Sequence, residues 1–252
     1  MRIFIGYEPR EIAAYIVTRE SVRKHARQGK DEIYPVVLED LVASGLYTRS
    51  TEWRRRVDER WISANPRTDA DAQLYDTISE HPMSTQFAIS RFFVPHLSRY
   101  RGWSLFMDCD MLVRRPLIDL KPYCDPEKAV VCVKHRHEPT QHTKMDARTQ
   151  SRYDRKNWSS FMIFNCGHPS NQKLDLDLLN SAPGRDLHAF CWLEDDEIGE
   201  LPQAWNYLVD YTDLWGEEPA NVHWTNGAPC MYGYENVEYA DTFRRILRQW
   251  IY

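Results

Sequence analysis

Leu105-Phe106-Met107-Asp108-Cys109-Asp110-Met111-Leu112-Val113 is an apolar run interrupted by a D-x-D triplet. It reads as a buried strand that stops at two carboxylates. Alternate residues of an extended chain point the same way, so Asp108 and Asp110 can face one ligand together while Cys109 turns into the sheet. Two convergent carboxylates at the carboxyl end of a hydrophobic strand suit a hard divalent cation, Mn2+ or Mg2+, that bridges to the phosphate oxygens of a substrate. A surface turn with two solvated acids is the structural alternative, and the surrounding sequence has to decide.

Upstream, Arg2-Ile3-Phe4-Ile5-Gly6-Tyr7 is an apolar strand ended by glycine, and Ile12, Tyr15, Ile16, Arg19 and Val22 or Arg23 follow at helical spacing with Pro9 near the first turn. Strand, glycine turn and helix make the first βα unit of a nucleotide-binding sheet, yet no G-x-G-x-x-G or phosphate-loop lysine motif is present. Glu32 to Leu38 reads as a second strand and Leu41 to Leu46 as a short helix. From about 45 to 80 the composition turns to arginine, aspartate and tryptophan. Trp53, Val57 and Trp61 recur at i, i+4 and i+8, which predicts a helical, arginine-rich insertion carrying Arg54, Arg55, Arg56 and Arg60 on its other faces. It reads as a solvated surface helix, a cover for an acceptor site, or a basic face for an anionic acceptor.

Ser84-Thr85-Gln86 opens the next predicted helix, with Phe87, Arg91 and Val94 in one row and Pro95 as its stop or kink. An arginine among phenylalanines needs an anion, either a ligand or a structural carboxylate. Strands are expected at Ala129 to Lys134, at Asn157 to Cys166 and at Ile198 to Leu201, and a packed helix over Phe243 to Trp250. His135, His137 and His142 lack the spacing of a zinc set and read as a loop beside the site.

Ser90-Arg91-Phe92 upstream of the triplet, and Asn165 and His223-Trp224-Thr225-Asn226-Gly227 downstream, follow the order seen in glycosyltransferases of the GT-A fold. The chain resembles in particular the bacterial and phage proteins related to family-8 glycosyltransferases, the group of glycogenin and the lipopolysaccharide galactosyltransferases. The resemblance runs from Arg2 to about Tyr232 and is weakest between about Gly45 and Ser79. It implies one α/β domain over 1–252, Rossmann-like, with a mixed central sheet flanked by helices. It also implies transfer, with retention, from a nucleotide-diphosphate sugar, most simply a UDP-sugar. The acceptor would be a glycan, lipopolysaccharide or modified phage DNA.

Residue by residue, the resemblance gives Tyr7 to the nucleotide base and ribose, with a strand-end aromatic as the alternative. Arg91 faces the nucleotide-sugar, and Asn157, Ser159, Ser160 and Asn165 lie beside the donor sugar, with backbone capping as the alternative for Asn165. Asp108 also contacts the donor, and Asp108, Asp110 and His223 hold Mn2+ or Mg2+. Gly227 lies at the diphosphate, one residue later than in the family and with no lysine after it. Asp195 and Asp196 align with an Asp-Gln pair that binds the sugar or stabilises positive charge on it, ahead of Leu201-Pro202-Gln203-Ala204-Trp205-Asn206.

Composition sets the outer bounds. A formal net charge of -5 with 27% charged residues gives no overall basic field for nucleic acid. No apolar run approaches the roughly 20 residues needed to span a bilayer, and the chain starts on a strand, so the cytoplasm is the expected address. Six cysteines without paired spacing are expected to be reduced thiols. Two rivals make different demands. A nucleotidyltransferase acting on sugar phosphates would normally show a glycine-rich or lysine-bearing loop near the N-terminus. A carbohydrate-binding module would be all-β, against the alternation of strands and helices here.

Overall fold

The structure, a computed structural model, describes residues 1–135, 155 and 157–251; His137 and His142 lie outside the described residues. In chain order the first elements are β1 (Arg2–Gly6), α1 (Ile12–His25), β2 (Glu32–Val36), α2 (Leu38–Ala43), β3 (Thr51–Val57), β4 (Arg60–Ser63), β5 (Gln73–Asp76) and β6 (His81–Pro82). Then come α3 (Phe87–Ser90), α4 (Val94–Leu97), β7 (Trp103–Met107), β8 (Met111–Val113), β9 (Val130–Cys132) and β10 (Phe161–Asn165). The chain finishes with α5 (Leu176–Ser181), α6 (Gly184–His188), β11 (Ile198–Glu200), β12 (Tyr207–Leu208), β13 (Asn221–His223) and α7 (Ala240–Ile251).

Among the described residues the central sheet has six strands in the order β11-β9-β10-β7-β1-β2. Its middle strands are apolar on both faces because helices and turns cover both sides: Ile3, Ile5, Leu105, Phe106, Phe161 and Ile163 are fully buried. β1 is parallel to β2 and β7, β10 is antiparallel to β7 and β9, and β11 is parallel to β9. The sheet is therefore mixed, as the resemblance implied.

The chain leaves this sheet at Met107 and enters a second one, of order β12-β13-β8, at Met111. Asp108-Cys109-Asp110 is the crossing between the two. α1 pins it: buried Thr18 Oγ1 lies 2.5 Å from Cys109 O and accepts the Met111 N–H at 3.0 Å, and Ser21 Oγ accepts the Val113 N–H at 3.0 Å. Cys109 points into the core, where its thiol donates to Glu11. α7 packs on α1 and this second sheet, not on the central one, through Phe243 set edge-on to Trp224.

The insertion is not helical. β3 to β6 form an antiparallel sheet of order β4-β3-β5-β6. β3 and β4 are joined by Asp58 and Glu59, both in the left-handed region at φ 45° and 64°, as a tight two-residue hairpin requires. A spacing of four is even, so Trp53 and Val57 share one face of a strand as readily as one face of a helix. Trp61, beyond the turn, pairs with Arg56 on the other face. Trp53 and Leu74 pack on the main core, which seats this accessory sheet against the rest of the chain.

The expected serine or threonine cap at 84–86 is also corrected. α3 begins after Gln86 with no side-chain cap of its own, and buried Glu8 supplies the acceptor instead, taking the Gln86 N–H at 2.9 Å. Arg10 closes on the same carboxylate at 2.7 Å, so its pKa lies below the usual carboxylate range despite burial, which acts to raise it. Pro95 falls in the first turn of α4, where its missing N–H is harmless. The described residues contain no helix long and apolar enough to cross a membrane.

Candidate active site

A cleft of about 770 Å³ opens at the carboxyl end of β7. Its floor holds Asp108, Asp110 and His223, whose potential ligand atoms all lie within 4.8 Å of one another. The topology assembles them. β13 runs antiparallel to β8 with His223 opposite Met111, and the Trp224 N–H donates to Asp110 O at 3.0 Å, which brings the imidazole beside the carboxylates.

The donor set fits a divalent cation. Asn206 is fully buried, and its Nδ2 donates to Ser160 Oγ at 2.9 Å and Asn157 O at 3.3 Å, so its Oδ1 must be the atom that faces His223 Nδ1 at 2.9 Å. That oxygen requires a proton on Nδ1. In the neutral ring Nε2 then carries the lone pair, and it faces Asp110 Oδ1, 3.4 Å away. A lone pair aimed at a carboxylate is the arrangement of two ligands sharing a cation, with the amide as the outer partner that fixes the tautomer. Replacing Asn206 with Leu is therefore expected to weaken Mn2+ binding about 10–100-fold, read by isothermal titration; unchanged affinity would remove the imidazole from the ligand set.

Arg91 sits beside the floor, buried, with its guanidinium 2.8 Å from Asp108 and within 2.9 Å of Ser159 O. The rings of Phe87 and Phe106 flank it at 5.2 Å. A guanidinium held between aromatic faces and a carboxylate keeps its charge in place without water. Next to it His188 Nδ1 lies 2.7 Å from Ser159 Oγ. Burial, and secondly the charge of Arg91, push the His188 pKa down to about 3, so it is neutral at physiological pH.

Ser159, Ser160 and Asn157 line the cleft, as does Gly227. The Gly227 N–H closes a turn on Trp224 O, and a Cβ there would come within 2.5 Å of the Tyr234 ring. Tyr7 does not line it: that ring packs edge-on against Tyr15, and the following Arg10 and Glu11 reach the cleft instead. Asn165 is at the wrong end. β10 starts beside Met107 and runs away from the triplet, so Asn165 ends opposite Trp103 and donates its amide to Pro126 O.

Asp195 and Asp196 are also misplaced by the sequence reading. β11 is parallel to β9, and Ile198 pairs with Val130, which pairs in turn with Phe164 near the far end of β10. The acids that precede β11 thus belong to the end of the sheet remote from the triplet and do not line the cleft. The Asp195 side chain is 90% exposed and paired with Arg155. Their place in the cleft wall is taken by Pro183, Gly184, Arg185 and His188, and a second wall is built by Asp76 to Thr85 around the accessory sheet. Neither stretch carries a chemical motif, so neither stands out in the sequence.

Solved structures share this architecture. The bifunctional glycosyltransferase WbbM superposes with a TM-score of 0.61 at 15% identity over 98% of this chain, which spans 49% of WbbM, about half its length. The galactosyltransferase LgtC, in complex with donor and acceptor sugar analogues, gives 0.58 at 13% identity over 99% of this chain and 96% of LgtC. GlyE of Streptococcus pneumoniae gives 0.56 at 12% identity over 99% of this chain and 63% of GlyE. The fold is therefore GT-A. No family model matches the sequence. Protein CDI of Arabidopsis thaliana is 39% identical over 244 residues, covering 95% of this chain and 83% of that protein. With that identity over nearly its whole length, the chain belongs to the family of Protein CDI.

Proposed function

We propose that the protein is a metal-dependent glycosyltransferase that moves a sugar from a nucleotide-diphosphate sugar to an acceptor hydroxyl. The observation that carries this reading is the floor of the cleft, two carboxylates and an amide-oriented imidazole converging at the end of a GT-A sheet. Asp108, Asp110 and His223 Nε2 would hold Mn2+ or Mg2+. A divalent cation so placed neutralises charge developing on a leaving diphosphate.

The chain's own groups do the rest. Arg91 holds the Asp108 carboxylate in its orientation across the 2.8 Å pair. Neutral His188 fixes the Ser159 hydroxyl, and the hydroxyls and amide of Ser159, Ser160 and Asn157 both donate and accept, as sugar hydroxyls require. Transfer with retention, as the family-8 resemblance implies, needs no strong protein base when the leaving phosphate takes the acceptor's proton and the cleft orients both partners. The wall of Asp76 to Thr85 is the acceptor side, and a UDP-sugar is the donor. The nucleotidyltransferase alternative gains no support, because the turn after β1 turns its glutamate inward onto Arg10 and the Gln86 N–H, leaving no phosphate loop.

A thermal-shift series with UDP-, GDP-, CMP- and dTDP-sugars, with and without Mn2+, tests this reading without a known acceptor. The expected result is a rise in melting temperature for one nucleotide, present with Mn2+ and lost with chelator. No shift with any donor would reject the proposal.

A further inference from the structure

The described cleft is lined by three arginines, Arg10, Arg91 and Arg185. Two are committed: Arg10 grips buried Glu8 through two contacts, at 2.7 and 3.1 Å, and Arg91 grips Asp108. Arg185 is different. Its ion pair is with Asp186, the next residue in the chain, at 3.2 Å with side chains 78% and 43% exposed. Such a pair contributes little, and the planar fork of the guanidinium can still take a bidentate anion.

An exposed arginine is ordinarily a solvated one, but the backbone that carries Arg185 is braced on both sides. Before it, the Gly184 N–H donates to Ser79 Oγ at 2.8 Å. Ser79 in turn donates its hydroxyl and, at 3.0 Å, its N–H to Asp76, and Asp76 is locked by Arg49 in a pair that is 1% and 0% exposed. After it, His188 is tied to Ser159. Gly184 is seated so closely on α3 that a Cβ would stand 2.8 Å from Ile89 Cδ1. A buried polar network thus fixes the root of a long cationic side chain at the cleft wall. Preorganisation of this kind lowers the ordering cost of binding.

The loop after His223 contributes Thr225, Asn226 and Gly227, which are neutral. We propose that Arg185 is the substrate-anion contact of this cleft, binding an oxyanion, phosphate or carboxylate, of the substrate. The proposal deepens the glycosyltransferase reading and takes from it the identity of the cleft. The anion is either the diphosphate of the donor or the carboxylate of an acidic sugar.

The test titrates the full chain calorimetrically with inorganic pyrophosphate and with glucuronate, each with and without Mn2+, for the unaltered protein, Arg185→Gln and Arg185→Lys. The expected result is binding of one anion that falls at least about tenfold in Arg185→Gln and partly returns in Arg185→Lys, with melting temperatures unchanged. Loss confined to pyrophosphate identifies the diphosphate as the source, and loss confined to glucuronate identifies an acidic sugar. Equal affinity in the unaltered protein and Arg185→Gln, or no binding of either anion, overturns the proposal. A separate Mn2+ titration keeps the two readings apart: absence of Mn2+ binding defeats the metal-dependent mechanism, whereas anion affinity indifferent to Arg185 defeats only this assignment.

Discussion

Asp110→Asn is expected to leave the protein folded and to cut Mn2+-dependent donor turnover on the order of a thousandfold. The amide occupies the same volume, and the Asp110 backbone oxygen still receives the Trp224 N–H at 3.0 Å. What is lost is one of the two carboxylates that converge with His223 Nε2 on the floor of the cleft. Because two carboxylates converge at this floor, the metal-free variant should melt no lower than the unaltered protein. The stabilisation that Mn2+ confers should disappear. Turnover by donor hydrolysis and melting curves with and without Mn2+ read both effects; full activity in the variant would take the triplet out of the mechanism.

The second large effect is one of stability. Arg49 and Asp76 are both almost wholly buried, with Arg49 also donating to Leu179 O at 3.0 Å and Ala182 O at 2.7 Å. Asp76→Ala leaves a guanidinium without its counter-charge in the interior, which costs about 3–5 kcal/mol. For a chain of this size that lowers the melting temperature by about 6–20 °C. Buried pairs can often be replaced by apolar residues at little cost, but this one also satisfies carbonyls and an N–H. The double variant Arg49→Met with Asp76→Leu should therefore recover only part of the loss. Full recovery would mean that the pair contributes charge alone and does not organise the backbone around Ser79 and Gly184.

Much of the site was legible because its chemistry is local. Asp108 and Asp110 are two residues apart on an extended chain, which dictates a common direction whatever the topology. His223 and Arg91 were placed through the glycosyltransferase resemblance, which matches their order around the triplet. Asn165, Asp195 and Asp196 failed for one shared reason: which end of a strand faces the cleft depends on whether it runs with or against its neighbours, and nothing in a strand's own residues records that. The accessory sheet failed differently. Trp53 and Val57 satisfy both the helical and the extended period, and the Asp58-Glu59 turn that would have decided between them lacks the glycine or asparagine that usually marks such hairpins. Arg185, Ser79 and Gly184 are ordinary residues whose meaning comes only from being brought together.

The crossing of the chain from one sheet to the other at Asp108-Cys109-Asp110 has a mechanical consequence. Asp108 terminates the large sheet, whereas His223 belongs to the small one, so the ligand cluster straddles a seam. A cation held from both sides would add a tie across that seam, which α1 already braces through Thr18 and Ser21. Filling the site and stiffening the molecule would in that sense be a single event.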